Sequence, residues 1–388
     1  MSIFDVEHQP RAHRMIQRSL ASQRMPHAYI FAGPEGVGRE MLASRLAQIC
    51  LCESPVQRAV AEQGEACAGG GADAATEGQG LDACGQCQDC QLVQAGNHPD
   101  LFLIYRQLNR LHPNATIRKQ KALFLGVDVI RHFVVDRIGV RPSCGRAKVF
   151  IIREAERLND AAQNSLLKTL EEPPSDTFLI LITAALDRLL PTTRSRCQLV
   201  FFQSLPADYI TRRMRAFRPE ADEGEIQYTA RRSGGSLGLA LRQLDDGVPT
   251  LKGKWGENLK VMLAAGSGVA PHSLARPFIE DAKILGKLAT DRDPDMSDTD
   301  ASRVGLQTLL GVLGDFYMDA ERQAVGATMP PINADQRDVV GHLKAGRSVE
   351  ALAADVRKIQ QADANLSRNA NAELAIESLF IALAGSTG

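Results

Sequence analysis

Three short stretches of this chain hold residues whose types and spacing could do chemistry. In GPEGVGRE, residues 33–40, Gly33 and Gly38 have the spacing of a phosphate-binding loop. Arg39 and Glu40 stand where such a loop carries lysine and then serine or threonine. In CGQCQDC, Cys84, Cys87 and Cys90 form two overlapping C-x-x-C pairs, a spacing that turns several thiolates toward one metal ion. A closed zinc site needs a fourth ligand, and spacing alone favours Cys67, with sixteen residues between it and Cys84. In TTRSRCQLVFF, Ser195, Arg196 and Cys197 follow an apolar run and Pro191; on composition this is a surface arginine in a loop.

The elements around these stretches follow from their periodicity. HAYIFAG (27–33) reads as a strand entering the glycine turn, and REMLASRLAQICLC (39–52) has helical spacing at Met41, Leu42, Ala43, Leu46, Ile49 and Cys50. Residues 53–83, rich in glycine, alanine and acids, read as a flexible insertion. PDLFLI (99–104) reads as a strand and VDVIRHFVVDRI (127–138) as a helix. KVFII and FLILIT are unbroken apolar runs of the kind buried on both faces of a parallel sheet. Between them, Asn159 or Asp160 caps a helix with Ala162, Leu166, Thr169 and Leu170 on one face, stopped by Pro173 and Pro174. Strands alternating with helices predict an α/β domain. From Pro206 onward the pattern is helical, with 245–254 (DDGVPTLKGK) read as a linker. Stripes at Leu306, Leu309, Leu310, Leu313 and Tyr317, and at Ile376, Leu379, Phe380 and Leu383, predict a helical core.

Composition narrows the class. A chain of 388 residues suggests two or three domains, and a formal net charge of −1 argues against nucleic-acid binding by the protein's overall field. The polar start MSIFDVEHQPRAHRM lacks the apolar stretch of a signal peptide. The run FLILITAAL (178–186) falls far short of the ~20 residues a bilayer span needs. A soluble, cytoplasmic protein is expected. In that setting the eight cysteines read as metal ligands or buried thiols; Cys144 and Cys197 are expected to be buried thiols, and His98 a loop residue.

HAYIFAGPEGVGRE, KVFIIREAERLNDAAQNSLLKTLEEPP and LLPTTRSRC, in this order, resemble the clamp-loader branch of the AAA+ ATPases, with NSLLKTLEEPP and SRC specific to it. The resemblance is strong over about residues 10–245 and looser beyond. It implies a AAA+-type P-loop domain with a parallel sheet at residues 1–205, carrying an inserted zinc module at about 50–95. A small helical lid at 206–248 and an all-α collar at 249–388 would follow. It also implies a nucleotide site that has lost its parts. Arg39 replaces the loop lysine, Glu40 the Mg²⁺-binding hydroxyl and Arg153 the metal-binding aspartate, although Glu154 remains. Gly238 replaces an arginine that reaches the γ-phosphate.

By the same resemblance Cys52 is the first zinc ligand, and Arg196 is an arginine finger aimed at ATP on a neighbouring subunit. The expected role is a subunit without ATPase of its own, in a ring with gamma/tau and delta subunits. That ring loads a sliding clamp onto primer–template DNA for the replicative DNA-directed DNA polymerase. The alternatives are an active gamma/tau-like ATPase, which needs a competent site, and a zinc-dependent nucleic-acid module, which needs a basic surface near the cysteines.

Overall fold

The computed structural model describes residues 2–22, 24–59, 79–144, 146–263, 270–345, 347–368 and 370–385. Contacts gather the chain into two compact units, Met1–Pro206 and Ala207–Gly388.

The first unit is built on the apolar runs. Strands β1 (Ala28–Ala32), β4 (Leu101–Ile104), β5 (Lys148–Ile152), β6 (Thr177–Thr183) and β7 (Gln198–Phe201) form a parallel sheet in the order β4-β5-β6-β1-β7. This is the AAA+-type order, with the glycine loop leaving the C-terminal end of an interior strand. Every residue of β1 and β5 is buried, which is why these runs show no alternation. Each large apolar side chain buried there contributes about 1.5–3 kcal/mol relative to exposure. Helix α1 (Pro10–Ala21) begins on a proline, and α2 (Arg39–Leu51) begins at the glycine loop. The helix Asp160–Glu171 is capped by Asn159, whose side chain accepts the Ala162 N–H, and it buries Ala162, Leu166, Thr169 and Leu170.

Two expectations for this unit change. Residues 127–138 are helical but not uniformly α: Val127–Ile130 and Asp136–Ile138 flank a π-helical turn, Arg131–Val135. Nor is the 53–83 insertion structureless throughout. Its ends pair as antiparallel strands β2 (Val56–Ala59) and β3 (Gln79–Asp82). Buried Asp82 accepts the Ile3 and Ala83 N–H groups and pairs with Arg58 at 3.2 Å. Residues 60–78, and with them Cys67, lie outside the described residues.

The second unit is helical. The stripe residues Leu306, Leu309, Leu310, Leu313 and Tyr317 are buried on the helix Asp298–Ala324, and Ile376, Leu379, Phe380 and Leu383 on Ala372–Ala384. Trp255 packs edge-on to Phe278 at 4.8 Å and stacks on Phe380 at 5.9 Å. At Gly305 an added Cβ would lie 1.9 Å from the Ala282 carbonyl oxygen, so only glycine lets the helices Asp298–Ala324 and Ala275–Arg292 approach so closely. Residues 245–254 are no linker. Helix Leu237–Asp245 turns through Gly247, at φ 70°, into Val248–Leu263, which buries Lys252 and Trp255. Gly and Pro looked like breakers, but proline is tolerated in a first helical turn. Tyr228 and Val248 share one core with the C-terminal helices, and buried Arg232 pairs with Asp315 and donates to the Thr308 carbonyl at 2.8 Å.

Candidate functional site

Four thiols meet at the end of α2. Cys52 caps that helix with an extended conformation (φ −63°, ψ 130°) that turns the chain out of it. Cys84, Gly85 at φ 77° and Cys87 form a tight turn, and Cys87 caps the short helix α3 (Gln88–Gln94), which carries Cys90. The ligand atoms of Cys52, Cys84, Cys87 and Cys90 all lie within 4.8 Å of one another, with Cys52–Cys87 and Cys84–Cys90 sulfurs each 3.9 Å apart. A tetrahedral zinc about 2.3 Å from each sulfur needs S···S edges of about 3.8 Å, so the set fits that ion. Backbone N–H groups of Cys84, Cys87 and Cys90 point at the Cys52, Cys84 and Cys87 sulfurs at 3.3–3.4 Å, the arrangement that stabilises thiolates. Such bonds to Cys84 pull its thiol down to about 6, whereas burial pushes Cys52 and Cys90 up. A bound cation would offset that burial penalty.

His98 is in a loop, as expected, but it is buried and bonded. Its Nε2 lies 3.2 Å from Asp89 Oδ1, and its Nδ1 accepts the Asp100 N–H at 3.1 Å. Asp100 in turn accepts the N–H groups of Ser143 and Cys144, both at 2.8 Å. These bonds tie the cysteine turn to the sheet. Asp89, His98 and Cys144 also stand close enough to suggest a second metal. The ring's hydrogen bonds oppose it: Nδ1 is an acceptor, so Nε2 holds the proton, whereas a ligating imidazole keeps its proton on the nitrogen away from the metal. Cys144 is exposed rather than buried, because it sits on the surface loop that Asp100 anchors. Cys197 is half-buried, its thiol pushed up to about 12 by burial.

At the glycine loop the glycines are sterically required, Arg39 is buried, and Glu40 pairs with an arginine from beyond β5. A Cβ at Gly33 would lie 2.5 Å from the Phe202 carbonyl oxygen, and Gly38 caps α2 at φ 100°. Arg39 is 8% exposed, and its Nη1 is buried without a hydrogen-bond partner. Burial lowers its pKa, against the opposing charges of Glu156, Glu35 and Glu40. Arg153, just beyond β5, brings its Nη2 within 2.6 Å of Glu40 Oε1 and 2.7 Å of Oε2. Glu154, in a left-handed conformation at φ 48°, accepts from Arg106 Nε at 2.8 Å. Each carboxylate at these positions is thus held by an arginine. Gly238 lies in the helix Leu237–Asp245 of the second unit.

Arg196 sits at the end of a turn that opens on Pro191 and runs into β7. Its Nη1 donates to the Thr192 carbonyl at 2.9 Å and its Nη2 to Glu171 Oε1 at 2.5 Å. Ser195 Oγ bonds the same Thr192 carbonyl at 3.1 Å. Sequence reasoning missed Gln163. It is fully buried, donates to the Leu158 and Arg188 carbonyls, both at 3.3 Å, and accepts the Leu190 N–H at 2.7 Å. One signal was available, a polar residue at a core-facing position of an apolar stripe.

A family model described as DNA polymerase III, delta subunit (DNA_pol3_delta2), matches residues 8–70 and 72–206, more than half of the chain. Several curated relatives that it matches are delta prime subunits. The chain belongs to the DNA polymerase III delta prime family. It is 34% identical to DNA polymerase III subunit delta' of Escherichia coli (strain K12) over 225 residues, 58% of this chain and 56% of the relative. The Pseudomonas aeruginosa subunit delta' is 37% identical over 171 residues, 44% of this chain and 41% of the relative. DNA polymerase III subunit tau of Bacillus subtilis is 29% identical over 249 residues, 63% of this chain and 37% of that protein. The chain spans about half the length of the curated delta prime relatives it matches. Family membership thus rests on the unit that holds the glycine loop, the four thiols and Arg196. Among the described residues, no helix is long and apolar enough to cross a membrane.

Proposed function

We propose that this chain is a non-catalytic subunit of a cytoplasmic clamp loader. It would assemble with gamma/tau and delta subunits and help to place a sliding clamp on primer–template DNA. The observation that carries this reading is the Glu40–Arg153 ion pair in a chain of the delta prime family. An active P-loop site offers Mg²⁺ a hydroxyl and a carboxylate. Here the corresponding groups form a neutral pair, which gives a divalent ion no net attraction, and ligation by Glu40 would sacrifice that pair. Arg39, a broad planar fork in place of a compact ammonium, fits the phosphates differently from lysine. Similarity to tau keeps an active ATPase in view, and the same ion pair argues against it.

The remaining parts take roles consistent with this reading. Cys52, Cys84, Cys87 and Cys90 would hold one structural Zn²⁺ that fixes the turn to the end of α2. Arg196 would complete an ATP site whose other groups belong to a neighbouring subunit. Residues 206–248 and 249–388 would serve as lid and collar, the collar holding the ring together. Mixing the purified chain with gamma/tau and delta and following co-elution tests the reading. A stable ring that forms only when this chain is added is expected; failure to join it would overturn the proposal.

A further inference from the structure

The side chain of Arg196 is fixed at two points before any ligand is present. One is the Thr192 carbonyl, in its own turn, at 2.9 Å from Nη1; the other is Glu171 Oε1, 25 residues away in sequence, at 2.5 Å from Nη2. Glu171 is the last residue of the helix Asp160–Glu171, which is anchored in the core through Leu166 and Leu170. Gln163 of that helix already holds the backbone of the turn, through the Leu190 N–H. One rigid helix therefore sets both the path of the turn, with Gln163, and the direction of the guanidinium, with Glu171.

We infer that Glu171 is a positioning residue for Arg196, holding the guanidinium in the orientation in which it meets the neighbour's phosphoryl group. This rests on the trans role proposed above for Arg196. A guanidinium has five N–H donors, and two are used here, so three remain for an oxyanion. Holding a long, rotamer-rich side chain in place beforehand removes ordering that would otherwise accompany ligand contact. The C-terminal end of the helix adds a favourable partial negative charge beside the cation. Both side chains are partly exposed, 33% and 49%, so the pair lies open to a ligand. The carboxylate charge itself opposes an incoming anion; the useful part of Glu171 is its acceptor oxygen.

The test is ATP hydrolysis by the reconstituted ring on primed DNA, with Arg196→Ala, Glu171→Ala and Glu171→Gln compared. Glu171→Ala should lower kcat by about three- to tenfold, the worth of one hydrogen bond, with KM for ATP nearly unchanged. Glu171→Gln keeps an acceptor and should stay within about twofold of the parent. Normal rates with Glu171→Ala alongside a slow Arg196→Ala ring would overturn the inference and leave the finger standing. Equal losses in the Ala and Gln variants, or a rate above the parent, would assign the effect to charge and also overturn it. An Arg196→Ala ring at full rate would instead remove the finger itself. Melting curves of the two Glu171 variants matching the parent exclude a folding defect.

Discussion

Glu40 and Arg153, paired beside the glycine loop, are the residues on which the proposed loss of nucleotide binding rests. Their ion pair is half-exposed and worth about 0–1 kcal/mol, so its importance is electrostatic rather than architectural. Calorimetric titration of the isolated protein with Mg·ATP should give no measurable heat of binding; a micromolar Kd would contradict the account. Arg39→Lys alone should not restore hydrolysis, because Glu40, Arg153 and Gly238 remain. The substitutions at Arg39, Glu40 and Arg153 were legible in the sequence, since the loop frame and the strand before Arg153 fix their positions. Their mutual pairing was not, as 113 residues separate Glu40 from Arg153 and only the sheet brings them together. Gln163 likewise bonds to Arg188 and Leu190 across 25 and 27 residues, which no local pattern announces.

At the scale of elements, the cysteine turn is the part whose stability would depend on a bound metal ion. Its C-x-x-C spacing was readable directly, and the first ligand was open between Cys52 and Cys67. The structure brings Cys52 to the other three, because α2 ends where the turn begins. Metal analysis of freshly purified protein should find about one zinc per chain if the four thiolates form a closed site. Cys52→Ser should lose that metal and Cys67→Ser should keep it; the reverse would move the first ligand into the insertion. A chelator should raise hydrogen exchange around residues 50–95 before the rest, since binding energy at such a site is local folding energy. The sheet strands were legible because fully buried runs carry no alternation. The helix Val248–Leu263 was misread because Gly247 and Pro249 mark turns in isolation, whereas packing of Trp255 decides the outcome.

The molecule as a whole divides into two compact units, and its single tryptophan, Trp255, reports on the second. Phe380→Ala removes the ring stacked on it and should destabilise that unit by about 3–5 kcal/mol, read as a lower urea midpoint in Trp255 fluorescence. Cys84→Ser, in the other unit, should leave that midpoint in place. The helical stripes announced this core, but not that Tyr228 and Arg232 join it, since those contacts depend on how the helix Glu223–Arg232 packs rather than on local pattern. The central claim is that this chain does no nucleotide chemistry yet completes it for a neighbour. It is tested most directly by the DNA-stimulated ATPase of rings reconstituted with gamma/tau, delta and either the parent chain or Arg196→Ala. The account predicts that the variant ring assembles normally and hydrolyses ATP several-fold more slowly, a smaller effect than the roughly 10³–10⁵ of a lone arginine finger because other sites remain, with Arg196→Lys rescuing little. A variant ring that assembles and hydrolyses ATP at the parent rate would contradict it.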